Sequence, residues 1–530
     1  MADDNKWYVA MTIGPLGDTM SLVTKPAALW LSSYLFSWLA RELCVALVQG
    51  IDGLDAIVKP EDIVSPYYPV NGDDALYNHN DGVGLFSDHI IYHDRLGTFG
   101  QLPDLINAVK ARAAQTFGIG ADFTWRYLMV KYCRFEVGAG ENPILKCSHM
   151  LDNLELDKQF IPTQDGNPLL AVMTNQNVAR LGKDVLKIDG EAWQLVKQRG
   201  DKFTLRDLPD IAHIPHCEDM KKNRYYCMLR ADGDNMSKII ASLKTDEDCR
   251  AFSLKCLQYC QDVAKKVGDY GGTTIYSGGD DLFAVVPCEG IIDGQRSGTV
   301  FDLIREIEKL FDAHFKVYID NPQINPKPTL SFGLFIGFHK YPLFEAVARS
   351  AELLFDIAKQ TKNKACTALM LQKHSGQVTK LLIRSAQMAE FCRLLNDAIE
   401  ADRQTGEEHD KVLLSASQKL ELFHLLFNAV GRDAASQNLN ERSKISLRQT
   451  FINIFDADFH VKGSSQSYLH DVLPGFYDTL CRTGGLWCFD KSGATREEYA
   501  LALSGVLRIC RFFVEKASEQ EKSEDPKGAN

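Results

Sequence analysis

No run of about 20 apolar residues crosses this 530-residue sequence without interruption. The nearest approach is AALWLSSYLFSWLARELCVALV, residues 27–48. Arg41 and Glu42 break it and Ser32, Ser33 and Ser37 dilute it, so it reads as a buried amphipathic helix and not as a membrane span. No paired CxxC and no disulfide-framework spacing occurs among the fourteen cysteines. That excludes a stapled secreted fold; free thiols and the lack of a signal peptide fit the cytoplasm. Positive charge is also short: 59 basic residues against 70 acidic give a net charge of −11. Binding nucleic acid alone by bulk electrostatics is thereby disfavoured, although a subunit could still meet RNA inside an assembly. There is no short internal repeat and no long low-complexity segment. What remains is an ordinary globular composition, long enough for three or four domains.

The most informative residues are Gly278-Gly279-Asp280-Asp281, within TTIYSGGDDLFAVVP. Two glycines permit a tight turn between two short β-like runs, and two carboxylates follow at its tip. Hard cations such as Mg²⁺ take oxygen ligands of this kind together with substrate phosphates. A polar hairpin turn would use the same residues. Upstream, RYYCMLRADGDNMSKII reads as a buried strand over 224–231 with Asp232-Gly233-Asp234 at its carboxyl end. A helix follows from about Ser237, with Asp234 or Asn235 placed to cap it. The order is then strand (225–231), helix (250–267), strand (272–276), strand (282–287), helix (298–316) and strand (328–336), the β-α-β-β-α-β plan of a ferredoxin-like sheet. In that sheet Asp232 faces Asp280 and Asp281 across one strand spacing of ~4.8 Å. Three carboxylates so placed can hold two divalent ions for phosphoryl transfer.

The fold class expected is α+β: two ferredoxin-like palm domains followed by an all-helical domain. Residues 1–135 look like a looser first palm, with WYVAMTIGP and HIIY as strands and 103–117 as a helix. Without a GGDD hairpin it is expected to be catalytically silent, yet able to supply half of a nucleotide pocket between the palms. Residues 136–222 form a linker or small α region, 223–377 the palm carrying the acidic cluster, and 378–516 a helical domain with i, i+3, i+4 apolar spacing. The charged stretch 517–530 is expected to be a disordered tail.

Four stretches, TIGPLGDTMSLVTKPAALWLSSYLFSWL, ADGDNMSKII, IYSGGDDLFAVVP and TLSFGLFIGFHKYPLFEAVARSAELLFDIAKQTKNKA followed by KHSGQ, resemble CRISPR-associated protein ten. This is the large subunit of type III CRISPR effector complexes, and the likeness is to its Cmr-type (III-B) branch. The resemblance implies an antiviral-defence subunit working with other complex subunits, guide crRNA and target RNA. Target binding would switch on conversion of ATP to cyclic oligoadenylate, a second messenger. It further implies Mg²⁺ or Mn²⁺ on Asp232 and Asp281. Asp280 would stand beside the attacking hydroxyl or complete the shell, and the Gly278 and Gly279 amides would face phosphate. Ser277 is implied as a nucleotide contact, with a satisfied turn hydroxyl as the alternative. Lys359 and Lys364 could neutralise triphosphate charge, or serve only as a solvated helix end.

Two departures from the family pattern stand out. The first palm strand begins at Trp7, leaving no room for the HD nuclease domain that many members carry, so DNA cleavage is not expected. His93-Asp94 is an HD dipeptide without the other ligands. The family's paired zinc cysteines are also missing; Cys147, His149, His213, His216 and Cys217 lie in the linker but lack a zinc-ribbon spacing. Members without the HD domain include some that join AMP to S-adenosylmethionine, so that co-substrate is an alternative. A silent scaffold and a diguanylate cyclase are readings of other classes. Asp281-Leu282, where the cyclase has Glu and Phe, speaks against the last.

Overall fold

The computed structural model describes residues 6–405, apart from 21–22, 72–73, 121–127, 157–172, 189, 191, 200–201, 216 and 295, together with 417 and 496–517. Its first unit is a four-stranded antiparallel sheet built from β1 (Lys6–Gly14), β2 (Ile63–Ser65), β3 (His89–His93) and β4 (Met129–Val137). The spatial order is β2-β3-β1-β4. Three helices belong to it: α1 (Pro26–Gln49), α2 (Leu102–Phe117) and α3 (Pro143–Leu156). Pro26 starts α1 where a missing N–H costs nothing. Gly50, at φ 76°, ends it, because the left-handed region suits a residue without Cβ.

α1 is buried on nearly every side, not on one stripe as an amphipathic helix would be. It packs on β1 and β3 of its own sheet and also on the outer strand of the second. It is the one helix among the described residues long and apolar enough to cross a membrane, and 72% of its most apolar window is buried in the protein. The amphipathic expectation fails because α1 fills the seam between two sheets, and a helix covered on both sides needs apolar residues all round.

Between the units lies a short hairpin of β5 (Val196–Arg199) and β6 (Lys202–Leu205). The second unit comprises β7 (Tyr225–Asp234), α4 (Asp246–Tyr270), β8 (Thr273–Gly278), β9 (Asp281–Pro287), α5 (Val300–Ile319) and β12 (Thr329–Phe338), with a small β10–β11 hairpin (Glu289–Ile291, Ser297–Thr299) inserted after β9. α6 (Leu343–Ala351), β13 (Cys366–Gln372) and β14 (Val378–Arg384) follow. The sheet order is β14-β13-β12-β7-β9-β8. Its last four strands repeat the β4-β1-β3-β2 order of the first sheet, so the chain is α+β with two ferredoxin-like units. α4 carries a capping box of Thr245 and Asp248 and stops at Gly271, φ 101°.

Three local expectations need correction. Residues 378–384 are a strand, not the start of a helical domain. Only Val378–Leu381 alternate in burial, and the turn through Gly376 (φ 85°) folds the strand back on β13. Helix α7 (Ser385–Thr405) begins only afterwards. Asp234 does not cap the helix Met236–Ser242, and Asn235, at the N-cap with φ 61°, makes no side-chain capping bond. Asp234 instead turns inward to Thr329 and Ser331. Finally, α3 lies in what the sequence marks as a linker, yet packs on β1 and β4 as part of the first unit. Of the expected helical domain, α7 and α8 (Arg496–Val514) pack together and α8 lies on β14. Residues 406–495 of that domain fall outside the described residues, Ser417 apart, as does the charged tail 518–530.

Candidate active site

The acidic residues converge at one end of the second sheet. β7 and β9 run antiparallel with Ala231 opposite Leu282, so Asp232 and Asp281 continue off adjacent strand ends. Gly279 makes the turn at φ 69°. A side chain at Gly278 would collide with the Tyr276 hydroxyl, its Cβ lying 2.2 Å away. Gly233 is required by the site itself. A Cβ there would stand 2.4 Å from Asp280 Oδ2, which shows how closely the turn presses on the end of β7.

Lys359 lies at the centre of this group. Its Nζ donates to Asp232 Oδ1 (2.8 Å), the Asp232 carbonyl (2.9 Å) and the Gly233 carbonyl (2.7 Å), and pairs with Asp234 Oδ1 at 2.9 Å. It is delivered by α6, which continues through a wider π-type turn over Glu352–Ala358, a distortion common at functional sites. Asp234 is fully buried and also accepts from Ser331 Oγ (2.8 Å), Thr329 Oγ1 (2.9 Å) and the Ala365 N–H (3.1 Å).

Electrostatics follow from this crowding. Desolvation in the cleft, then the Asp232 charge, pushes the Asp280 carboxyl up to about 7, with Lys359 opposing. Asp281 is raised too, by desolvation and then by Asp280 and Asp232. Its side chain nevertheless keeps an open face to solvent, so for Asp281 we give more weight to its like-charged neighbours than to desolvation. Burial pulls Lys359 down, but Asp232 and Asp234 outweigh it and hold the ammonium above its ordinary value. Arg230, which the sequence did not single out, lies beneath the cluster. Its guanidinium stacks 3.8 Å over Phe283 and donates to Ser350 Oγ (3.0 Å). Burial lowers it to about 10, while Asp281 acts to raise it. The donors that Asp232, Asp280 and Asp281 offer are carboxylate oxygens, the ligand type that Mg²⁺ and Mn²⁺ take.

Asp232, Asp280, Asp281, Gly279 and Lys359 lie together at this end of the sheet. Two expected residues do not. Ser277 is fully buried and donates to the Cys260 carbonyl (3.2 Å), toward α4 and away from the cleft. Lys364 lies in the turn after Lys359 with its N–H on the Thr361 carbonyl, and makes no ion pair among the described residues. His93 pairs with Asp246 (3.2 Å) and Asp94 with Arg134 (2.8 Å), both joining structural elements. Cys147 bonds its own helix at Ile144 and His149 sits exposed beside Asp152. His216 lies outside the described residues.

A second cluster was not legible in the sequence. Asp88, His89 and Glu155 bring ligand atoms within 4.8 Å of one another. Glu155 accepts from Thr12 Oγ1 (2.7 Å) and lies 2.8 Å from His89 Nε2. Asp88 and Glu155 line a cavity of about 280 Å³ with Gly14, Met129 and Lys131. Burial raises the Asp88 carboxyl, with His89 opposing and Glu155 adding, and its charge in turn adds a little to the rise of Asp281. The two units also meet directly, the Ser277 N–H donating to the Gly84 carbonyl (2.9 Å).

This duplicated palm with its acidic hairpin matches a known class. Residues 225–368 match the family model described as Cas10/Cmr2, second palm domain. The chain is thus similar to the large subunit of type III CRISPR complexes, as its motifs suggested. The CRISPR system Cmr subunit Cmr2 of Pyrococcus furiosus is 24% identical over 205 residues, covering 34% of this chain and 22% of that protein's length. Among solved structures, a type III-B Cmr-beta complex in the apo state aligns over 97% of this chain and 82% of its own (TM-score 0.54, 11% identity). A Csm1–Csm4 cassette in complex with cA4 aligns over 97% and 70% (TM-score 0.53, 14% identity). Csm1 of T. onnurineus aligns over 97% and 71% (TM-score 0.51, 14% identity). At these identities the structural matches speak for the fold.

Proposed function

We propose that the chain is the adenylyl-transferring subunit of a type III CRISPR defence complex. The observation that carries this reading is the meeting of Asp232, Asp280 and Asp281 at one sheet end, with the Lys359 ammonium among them. An acceptor hydroxyl attacks the α-phosphate of ATP. A new P–O bond forms, the bond to the β-phosphate breaks and pyrophosphate leaves. Asp232 and Asp281 would hold the divalent ions, which when bound neutralise the developing charge and activate the hydroxyl. Asp280, beside the attacking hydroxyl, would receive its proton or complete the ligand shell. Lys359 and the Gly278–Gly279 backbone face the triphosphate. Activity would require guide and target RNA bound through the other subunits.

Two acceptors fit this chemistry. A structurally similar Csm1–Csm4 cassette has been captured with cA4 and another with pppApA, which supports a second ATP as acceptor and a cyclic oligoadenylate as product. One feature favours S-adenosylmethionine instead. The first palm carries Asp88 and Glu155 with His89. Asp88 and Glu155 would attract the ammonium and sulfonium of that co-substrate, with Lys131 beside them to take its carboxylate. Incubating the target-bound complex with ATP and Mg²⁺, with and without S-adenosylmethionine, and analysing products by mass spectrometry separates the two. An AMP conjugate formed only with S-adenosylmethionine supports the second acceptor, and oligoadenylate formed regardless supports the first. No nucleotide product under any target-RNA condition overturns the enzymatic reading and leaves a scaffold.

A further inference from the structure

Lys359 is surrounded by more oxygen than an ammonium can use. Four oxygens stand 2.7–2.9 Å from its Nζ: Asp232 Oδ1 and the consecutive carbonyls of Asp232 and Gly233, which accept its three hydrogen bonds, and Asp234 Oδ1, which is paired by charge without one. An ammonium has three N–H donors. A cage of two carboxylates and two carbonyls is a donor set for a hard divalent ion. We propose that Lys359 is a resident counter-cation. It fills the Asp232 cage in the resting protein and must leave the Asp232 oxygens when a divalent ion takes them.

The surroundings give it a place to go. Asp234 is fully buried and fixed by Ser331, Thr329 and the Ala365 N–H, so it remains a partner for Lys359 when Asp232 does not. The segment after Lys359 is also held under strain. Asn363, Lys364 and Ala365 all have positive φ (71°, 46° and 48°), a costly conformation for three successive non-glycine residues. The Ala365 bond to Asp234 ties that turn to the same carboxylate. Lys359 can therefore trade Asp232 for the ligand's phosphates while keeping Asp234. In this role it is a positioning residue that sets how readily the metal ligands are released.

The proposal rests on the metal-binding reading of Asp232, and its test keeps the two apart. Mn²⁺ binding to the purified full chain, without nucleotide, is measured by electron paramagnetic resonance for wild type and Lys359→Met, with thermal unfolding in parallel. Removing the competing charge is expected to tighten Mn²⁺ binding by about tenfold or more. Limited acetylation of the wild-type protein with mass-spectrometric readout needs no variant; Mn²⁺ should raise labelling of Lys359 several-fold. Unchanged or weaker Mn²⁺ binding by a folded Lys359→Met protein, or labelling indifferent to Mn²⁺, overturns the proposal alone. If neither protein binds Mn²⁺, the metal reading falls with it.

Discussion

In the first palm Thr12 stands opposite His89 across the β1–β3 ladder; in the second Ala231 stands opposite Leu282, leaving Asp232 beside Asp281. Strand order and pairing sense are the same in both sheets. Aligned on those last paired residues, Asp88 takes the place of Asp281 and Ile13 that of Asp232. The second palm adds a cation, Lys359, from its π-type turn. The first adds another carboxylate, Glu155, from α3. One backbone plan thus gathers two kinds of charge: a cluster of three carboxylates threaded by an ammonium, and a smaller acidic group with an imidazole. The lesson is that the fold sets where charge can be gathered, and side chains from outside the common plan set what the charge can bind.

The sharpest way to break this comparison is to erase one face at a time. Asp280→Ala with Asp281→Ala should lower product formation by at least about a thousandfold, measured on assembled complex. It should leave the thermal midpoint unchanged or higher, because crowded like charges are removed. If the double variant is as active as wild type, the second palm is not the catalytic one. Gly233→Ala comes next. Its methyl group collides with Asp280, and overpacking of ~1–3 kcal/mol transmitted to the reacting groups should cost about 10–100-fold in kcat with the chain still folded. On the other face, Asp88→Asn with Glu155→Gln should raise KM for S-adenosylmethionine about tenfold, as expected for a lost ion pair of ~1–2 kcal/mol, and leave kcat for ATP consumption nearly unchanged. A fall in kcat matching the hairpin variant would mean the two walls are not divided as described.

The smallest effect comes from a raised carboxyl that neither wall contains. Burial lifts Glu308 on α5 from 4.5 to about 7. A folded value above the unfolded one means the native state holds the proton more tightly. That stability is complete below about 4.5 and lost as pH rises through about 7. Glu308→Gln should therefore be more stable than wild type at pH 8, with the difference shrinking toward pH 4. Denaturant melts across that range check the sign, and product yield should not follow it.

Much of the second palm was legible because its signals are local. Strand, turn and strand lie within fifteen residues around Gly278-Gly279, and the Asp232 strand is a short apolar run ending in its own acidic residues. Ser277 was misjudged because strand parity was not carried through: its side chain falls on the buried α4 face. β14 was missed because VTKLLIR has apolar residues compatible with either period, and only pairing with β13 decides. The Asp234–Lys359 pair and the Asp88–Glu155 wall join residues distant in sequence. No spacing rule reaches that far, since such contacts depend on how the sheets and covering helices are assembled.

The seam helix α1 carries a cost in time. It leaves the ribosome about 220 residues before β8, the second-sheet strand against which it packs (from Gln49 to Thr273). At ~5–20 residues per second that is about ten to forty seconds. Throughout that interval a 24-residue apolar rod has only half of its shelter. Nascent chains stalled before β8 should therefore be the species that chaperones retain and that membrane-targeting factors mistake for a client, whereas chains released after it should escape both.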